Sequence, residues 1–215
     1  MRETLDKKIE EINQKLMDMT CLVEGNIENS IIALINQDTV LAQDILDKDL
    51  IINEQETEIE TLCVTAMATQ VPVASDLRRI FSIQKIITDL ERVGDNCCNI
   101  ADIVKSLGSY DLIVSIDNLV EMAKKSKKMI FDSMTAFVNS DLELAKATAQ
   151  MDDEVDQMYE ALYRSYLDFI KKDDPNEDQV IGLILAGRYY ERVADHATNI
   201  CERLIYMTTG EIVKY

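Results

Sequence analysis

Forty acidic residues against 22 basic ones give this 215-residue chain a formal charge of −18, which repels phosphodiester backbones; with no Lys/Arg stripe to release counterions, nucleic acid is excluded as a partner. Only six Gly and two Pro leave little turn material, so an all-α protein of a few long helices is expected rather than a sheet. No apolar run approaches the roughly 18 to 20 residues that span a bilayer, and Met1 to Lys8 are not followed by a signal-peptide segment, so the expected setting is the cytoplasm, without direct membrane insertion.

In chain order, the periodicity predicts helices over about 4–36, 38–70 and 76–106, then 112–138, 141–172 and 176–208. Helices near thirty residues span about 45 Å, long enough to pack side by side as a bundle with short connections. Pro72 and Pro175 are the hard breaks and mark equivalent loops. Ser75 is expected to cap the helix entered at Asp76. Ser140-Asp141-Leu142-Glu143 and Asp174-Pro175-Asn176-Glu177 both resemble capping boxes. Gly108 and Gly210 stand where helix C-termini want a left-handed residue. Cys21, Cys63, Cys97, Cys98 and Cys201 are an odd number without Cys-x-x-Cys spacing, as reduced core thiols would be.

The chain is built twice. Glu91-Arg92-Val93-Gly94-Asp95-Asn96-Cys97-Cys98-Asn99-Ile100 returns a hundred residues later as Glu191-Arg192-Val193-Ala194-Asp195-His196-Ala197-Thr198-Asn199-Ile200, with six of ten positions identical. Asp38, Ala42, Asp49 and Ile52 likewise align with Asp141, Ala145, Asp152 and Val155 at an offset of 103. Two tandem, similar three-helix bundles over 1–108 and 109–215 are therefore expected.

What recurs is acidic as well as apolar. Residues i and i+4 share a helix face, so Glu91 and Asp95 are neighbours, as are Glu191 and Asp195. Asp102 and Glu202 continue the two rows, with Asn99 and Asn199 also nearby. The first row flanks an apolar stripe of Ile83, Ile86, Leu90, Val93, Cys97, Ile100 and Val104, while Arg92 and Arg192 lie towards the other side. The preceding helices offer facing sets four residues apart, Asp49/Asn53 and Asp152/Asp156. Such oxygen-bearing sets suit a hard cation, iron, manganese or magnesium ahead of copper or zinc. A chain this acidic also shows such pairs on solvated faces by composition alone, and it is their repetition beside the core that favours a site.

His196 is expected to face solvent or another subunit, and one histidine without Glu-x-x-His does not make a ferritin-like di-iron site. No phosphate-binding loop, dinucleotide fingerprint or serine triad signature is present. Tyr159, Tyr163, Tyr166, Tyr189 and Tyr190 read as core and interhelical packing, with a partner surface where one is exposed.

The duplicated Glu-Arg-x-x-Asp element, each copy ending in Asn-Ile (Asn99-Ile100 and Asn199-Ile200), and the lead-in Ser75-Asp76-Leu77-Arg78-Arg79 after a proline turn resemble the PhoU family of phosphate-uptake regulators. The resemblance spans nearly the full chain. It implies two similar three-helix bundles in a cytoplasmic, often dimeric protein, and metal ions or clusters on Glu/Asp-x-x-x-Asp motifs. Those motifs fall on Glu91/Asp95, Asp152/Asp156 and Glu191/Asp195, with Asn53 replacing the second carboxylate beside Asp49. Zinc is a further possible occupant. The resemblance also implies a negative regulator of the phosphate-starvation response, which acts with the phosphate ABC transporter, through its ATP-binding subunit, and with the phosphate-sensing histidine kinase. No catalysis is needed for that role. Three other readings compete: an accessory protein of another phosphate transporter, a carboxylate-metal helical-bundle enzyme, and a helical adaptor without metal.

Overall fold

In a computed structural model the described residues, 2–70, 72–108, 112–170 and 177–215, form helices and connections only. These are α1 (Arg2–Asn36), α2 (Thr39–Gln70), α3 (Ala74–Leu107), α4 (Asp117–Asn139), α5 (Leu142–Gln150), α6 (Asp152–Ile170) and α7 (Glu177–Thr209). Helices α1, α2 and α3 pack together as one bundle, α4 to α7 as the other, and α3 lies against α7.

Apolar spacing explains each helix. Along α1, Leu5, Ile9, Ile12, Leu16, Met19, Val23, Ile27, Ile31 and Leu34 step by three and four residues and are all buried. The apolar stripe foreseen on α3 is likewise buried throughout. Burying one such Ile or Leu contributes about 1.5–3 kcal/mol, which lets a chain this charged fold. Among the described residues no helix is long and apolar enough to cross a membrane.

The duplication is visible at atomic detail. Gln37 and Ser140 follow α1 and α4 with φ of 52° and 53°, a left-handed conformation uncommon outside glycine. After them the Asp38 carboxylate accepts from the Val40 and Leu41 amides at 3.0 and 2.9 Å, and Asp141 accepts from Glu143 and Leu144 at 3.1 and 3.0 Å. Two identical turns, two identical caps.

The halves meet across α3 and α7, where Ser82 with Arg203, Asp89 with His196 and Ile103 with Gly182 step along the helices in opposite directions. These helices are therefore antiparallel. The Tyr190 hydroxyl, fully buried, meets Ser30 on α1 at 3.0 Å.

Several expectations change. The fifth helix is interrupted: the Met151 amide reaches Thr148 O at 3.0 Å and Glu154 N reaches Met151 O at 3.1 Å, a turn tightened to i→i+3 bonding that splits α5 from α6. The six expected long helices stand, the fifth as two segments, α5 and α6, among the described residues. The fourth helix starts at Asp117, because Ile113 N–H donates to Gln179 and Ser115 O accepts from Tyr166, which hold 112–116 as a non-helical segment against the second half. Ser75 caps nothing, since α3 begins at Ala74 with Val73 before it. Ser140 ends α4, and Asp141 caps α5. Gly108 and Gly210 do take positive φ. Of the second expected box, Asp174, Pro175 and Asn176 lie outside the described residues, and Glu177 is the first residue of α7.

Candidate metal centres

On α2, buried Ala42, Ile45, Ile52, Ile59, Cys63 and Ala66 mark a core seam whose three-and-four stepping has two polar members, Asp49 and Glu56. The same seam on α5 and α6 runs through Ala145, Thr148, Asp152, Val155, Tyr159, Leu162 and Tyr166. A carboxylate at a seam position is costly unless something compensates its charge. Asp49 and Asp152 hold equivalent seam positions, so the fold places them towards the core, whereas Asn53 and Asp156 sit one turn on.

In the first half, Asn53 Nδ2 donates to Asp49 Oδ2 at 3.1 Å. A Cβ added at Gly94 would lie 3.2 Å from Asp49 Oδ1, so the α3 backbone between Glu91 and Asp95 comes directly against Asp49. Arg92 Nη1 donates to Asp95 Oδ2 at 2.8 Å, and its Nε stands 3.3 Å from Glu91 Oε2 without hydrogen-bond alignment. Arg92 was expected to point away; its long side chain turns back because two carboxylates lie within reach.

In the second half, Glu191 is only 7% exposed. Arg188 donates to its Oε1 and lies over the Tyr159 ring, 5.9 Å from the centroid. Gly187 allows this approach, since a Cβ there would be 3.3 Å from Tyr159. The repeat singles out neither Arg188 nor Glu56, and Tyr159 reads from sequence only as packing. Glu56, held by Thr88 Oγ1 at 3.0 Å, is the counterpart of Tyr159, and Thr88 is the counterpart of Arg188.

Burial dominates the electrostatics. It raises Asp49, with Cys98 and Asn53 hydrogen bonds opposing and Asp95 reinforcing. It raises Glu91, with Asp95 adding and Arg92 subtracting. In the second half burial, then Asp195 and Asp156, push Asp152 up to about 6. Burial and Asp195, partly offset by Arg188, push Glu191 up to about 7. Asp195 is raised by burial and Asp156, and relieved by Arg188 and His196.

Both halves hold buried acceptors with no hydrogen-bond partner: Asp49 Oδ1, Asn53 Oδ1 and Glu91 Oε2, then Asp152 Oδ1 and Glu191 Oε2. An unsatisfied buried polar group costs about 1–3 kcal/mol, more when charged. In donor chemistry and in these unpaired oxygens the residues fit a hard cation. They are not preassembled, because among the described residues no three His, Cys, Asp or Glu side chains are drawn together as a cation site; Arg92 and Arg188 occupy the carboxylates instead.

The second-row residues divide. Asn199 Nδ2 donates to Asp89 Oδ1 at 3.2 Å, and His196 Nδ1 meets the same oxygen at 2.9 Å. Both belong to the α3/α7 seam, so His196, expected to face solvent or another subunit, instead meets Asp89, with 15% of its side chain exposed. Glu202 accepts the Tyr215 N–H at 3.0 Å, Asp102 is exposed and Asn99 is half-buried. Of the cysteines, Cys63, Cys97 and Cys201 are buried core thiols, Cys98 is half-buried and Cys21 is exposed. Tyr190 and Tyr166 are buried, Tyr159 and Tyr189 half-buried, and Tyr163 is exposed.

The family model of the PhoU domain matches residues 16–104 and 119–204. The phosphate-specific transport system accessory protein PhoU homolog of Clostridium acetobutylicum is 36% identical over 216 residues, covering 99% of this chain and 97% of that one. The accessory protein PhoU of Escherichia coli is 32% identical, covering 95% of this chain and 85% of its own. The crystal structure of PhoU from Pseudomonas aeruginosa superposes with a TM-score of 0.93 at 34% identity, over 96% of this chain and 99% of that one. The phosphate transport system regulatory protein PhoU from Streptococcus pneumoniae gives 0.91 at 32%, over 98% and 100%.

Proposed function

Because the chain belongs to the PhoU family, we propose that it is an accessory protein of a phosphate-specific transport system and a negative regulator of phosphate uptake and of the phosphate-starvation response. The observation that carries this reading is likeness along the whole chain, both halves included, to relatives named for that system. The protein acts by binding. As a cytoplasmic homodimer built of units 1–108 and 109–215, it presents long helical faces to the transporter's ATP-binding subunit and to the phosphate-sensing histidine kinase, and conveys phosphate sufficiency as inhibition.

In this reading Asp49, Asn53, Glu91 and Asp95 hold one metal centre, and Asp152, Asp156, Glu191 and Asp195 the other. Iron, manganese or magnesium supplies positive charge where like carboxylates otherwise repel. The chain's own residues do the rest: Asp49 ties α2 to α3, Asp152 ties α6 to α7, and the seam positions keep both carboxylates out of bulk water.

Deleting the gene should derepress phosphate-starvation genes in phosphate-rich medium, and unchanged expression counts decisively against a regulator. Elemental analysis of the purified protein beside an Asp95→Ala/Asp195→Ala variant tests the centres: metal lost with the fold intact supports them. The ion pairs of Arg92 and Arg188 favour a second reading, in which arginine alone balances the carboxylates. That reading predicts no metal in either protein.

A further inference from the structure

The two halves touch a second time where α1 and α4 run antiparallel: Ile35 lines one cavity with Val120, Glu28 pairs with Lys127, and Met17 lines another cavity with Val138. Midway, Lys127 Nζ donates to Glu28 Oε2 at 2.6 Å and ties the two helices together. The repeat offset of 103 turns that pair into Glu24 and Phe131, which line one cavity with Met17, Cys21, Met134 and Val138. A carboxylate takes the place of the lysine there, and a phenyl ring that of its acceptor. Among the described residues Glu24 has no hydrogen-bonded or ion-paired partner. Burial raises its carboxyl, and Lys127, already bonded to Glu28, offsets this only in part. Phe131 and Val138 are 54% and 56% exposed. A second cavity continues from Met17 and Val138 to Asn13, whose buried Oδ1 also lacks a partner, between Glu10 and Arg79. Asn13 and Glu24 are three helical turns apart, about 16 Å, so both acceptors open on one side of α1.

We infer that this α1/α4 groove is the docking site for a basic amphipathic helix of a partner protein, which lays apolar side chains on Phe131, Met134 and Val138 and offers lysine or arginine to Glu24 and Asn13. The inference rests on the reading that the protein acts by binding, and it is independent of the carboxylate centres. Charge decides the occupant. Both unpaired groups in the groove are acceptors, and lysine and arginine side chains only donate. A chain of formal charge −18 draws such a helix in, and its cation then does at Glu24 what Lys127 does at Glu28. An acidic or purely apolar helix would leave Glu24 covered and unpaired. A second copy of this chain, set groove to groove about a two-fold axis, would bring the same acceptors against each other. The stretch from Asn13 to Glu24 accommodates about three turns of helix, whose i, i+3, i+4 and i+7 positions supply the apolar face.

The probe is a synthetic helix of about eighteen residues with leucine at that spacing and lysine elsewhere, added to the full chain; a control helix carries glutamate in place of lysine. Binding is read by titration calorimetry and by iodoacetamide alkylation of Cys21, the exposed cysteine in the groove. The lysine helix should bind and slow the alkylation, and the glutamate helix should do neither. Phe131→Ser/Val138→Ser leaves the charge unchanged and should weaken binding at least about tenfold. Glu24→Gln should weaken it about threefold, whereas Glu60→Gln, on the exposed surface of α2, should not. The Cys21 readout needs no variant, so it stands however well these fold. Binding that survives Phe131→Ser/Val138→Ser, or that leaves Cys21 as reactive as before, is attraction to the acidic surface at large and overturns the inference. Cys21 protection that grows with protein concentration alone, with a dimer in sedimentation, makes a second copy the occupant and overturns it too. Gene deletion reads separately: a silent deletion removes the regulator while a groove that binds the lysine helix stands, and derepression beside a groove indifferent to that helix removes the docking site alone.

Discussion

The two carboxylate centres occupy the same place in the same fold, yet their surroundings are exchanged. In the first, Asp49 lies mid-helix on an unbroken α2, with Asn53 one turn and Glu56 two turns on and Thr88 across from Glu56. In the second, the tightened turn at Met151 makes Asp152 the first residue of α6, and Tyr159 with Arg188 replaces Glu56 with Thr88. A helix N-terminus favours negative charge, yet Asp152 is still pushed up to about 6, because burial and three neighbouring aspartates, Asp195, Asp156 and Asp153, outweigh it. Duplication therefore preserved where the carboxylates stand and let the charge balance around them diverge.

The comparison breaks most directly by removing one centre at a time. Glu191→Ala/Asp195→Ala should abolish metal in the second half and leave the first loaded, and Glu91→Ala/Asp95→Ala should do the reverse. Elemental analysis reads both, and equal loss from either variant would mean a single shared centre.

Asn53→Asp makes the halves more alike. It should raise manganese affinity in the first half about tenfold, the equivalent of about 1.4 kcal/mol, as measured by titration calorimetry. No change would place residue 53 outside the centre.

Acidity separates the halves in metal-free protein. Burial and neighbouring carboxylates hold Glu191 and Asp152 at about 7 and about 6 in the folded state, above the ordinary carboxyl range. The folded state therefore binds more protons in between, and this contribution to stability is complete below the ordinary carboxyl range and lost as pH rises through about 6 to 7. The melting temperature of chelator-treated protein should fall between about pH 5 and 8, a fall that Glu191→Gln flattens and saturating metal suppresses. A rise across that window contradicts the assignment.

Gly94→Ala copies Ala194 into the first half. The new Cβ would meet Asp49 Oδ1 at 3.2 Å and Ile52 Cδ1 at 3.3 Å, while helix propensity improves by about 1 kcal/mol. Stability should change by less than about 1 kcal/mol because overpacking offsets the gain, but first-half metal binding should weaken as Asp49 is displaced. Smallest of all is the difference between the caps: Asp38→Ala and Asp141→Ala should each cost about 1 kcal/mol, and unequal melting shifts would show that the duplicated turns are not energetically equivalent.

Much of this was legible beforehand because it is local. Apolar stepping located α1, α2, α3 and α7 to within a few residues. The repeat identified Asp49 and Asp152 as equivalent before either was seen to lie on the seam. Arg188 escaped notice because its partner in the first half is a threonine, so the repeat carried no signal there. The break at Met151 had no local cue, since the i→i+3 turn there carries neither Gly nor Pro.

By itself the sequence determined the all-α class, the duplication and the acidic rows, because helical periodicity and self-similarity are properties of one strand of residues. Only the tertiary structure decided which polar groups are buried and what meets them. It set His196 and Asn199 on Asp89 across the antiparallel α3/α7 seam, turned Arg92 and Arg188 onto the carboxylates, and left Asp49 and Asp152 with unpaired oxygens. Those outcomes depend on how one helix is rotated against another, which no periodicity within a single helix specifies.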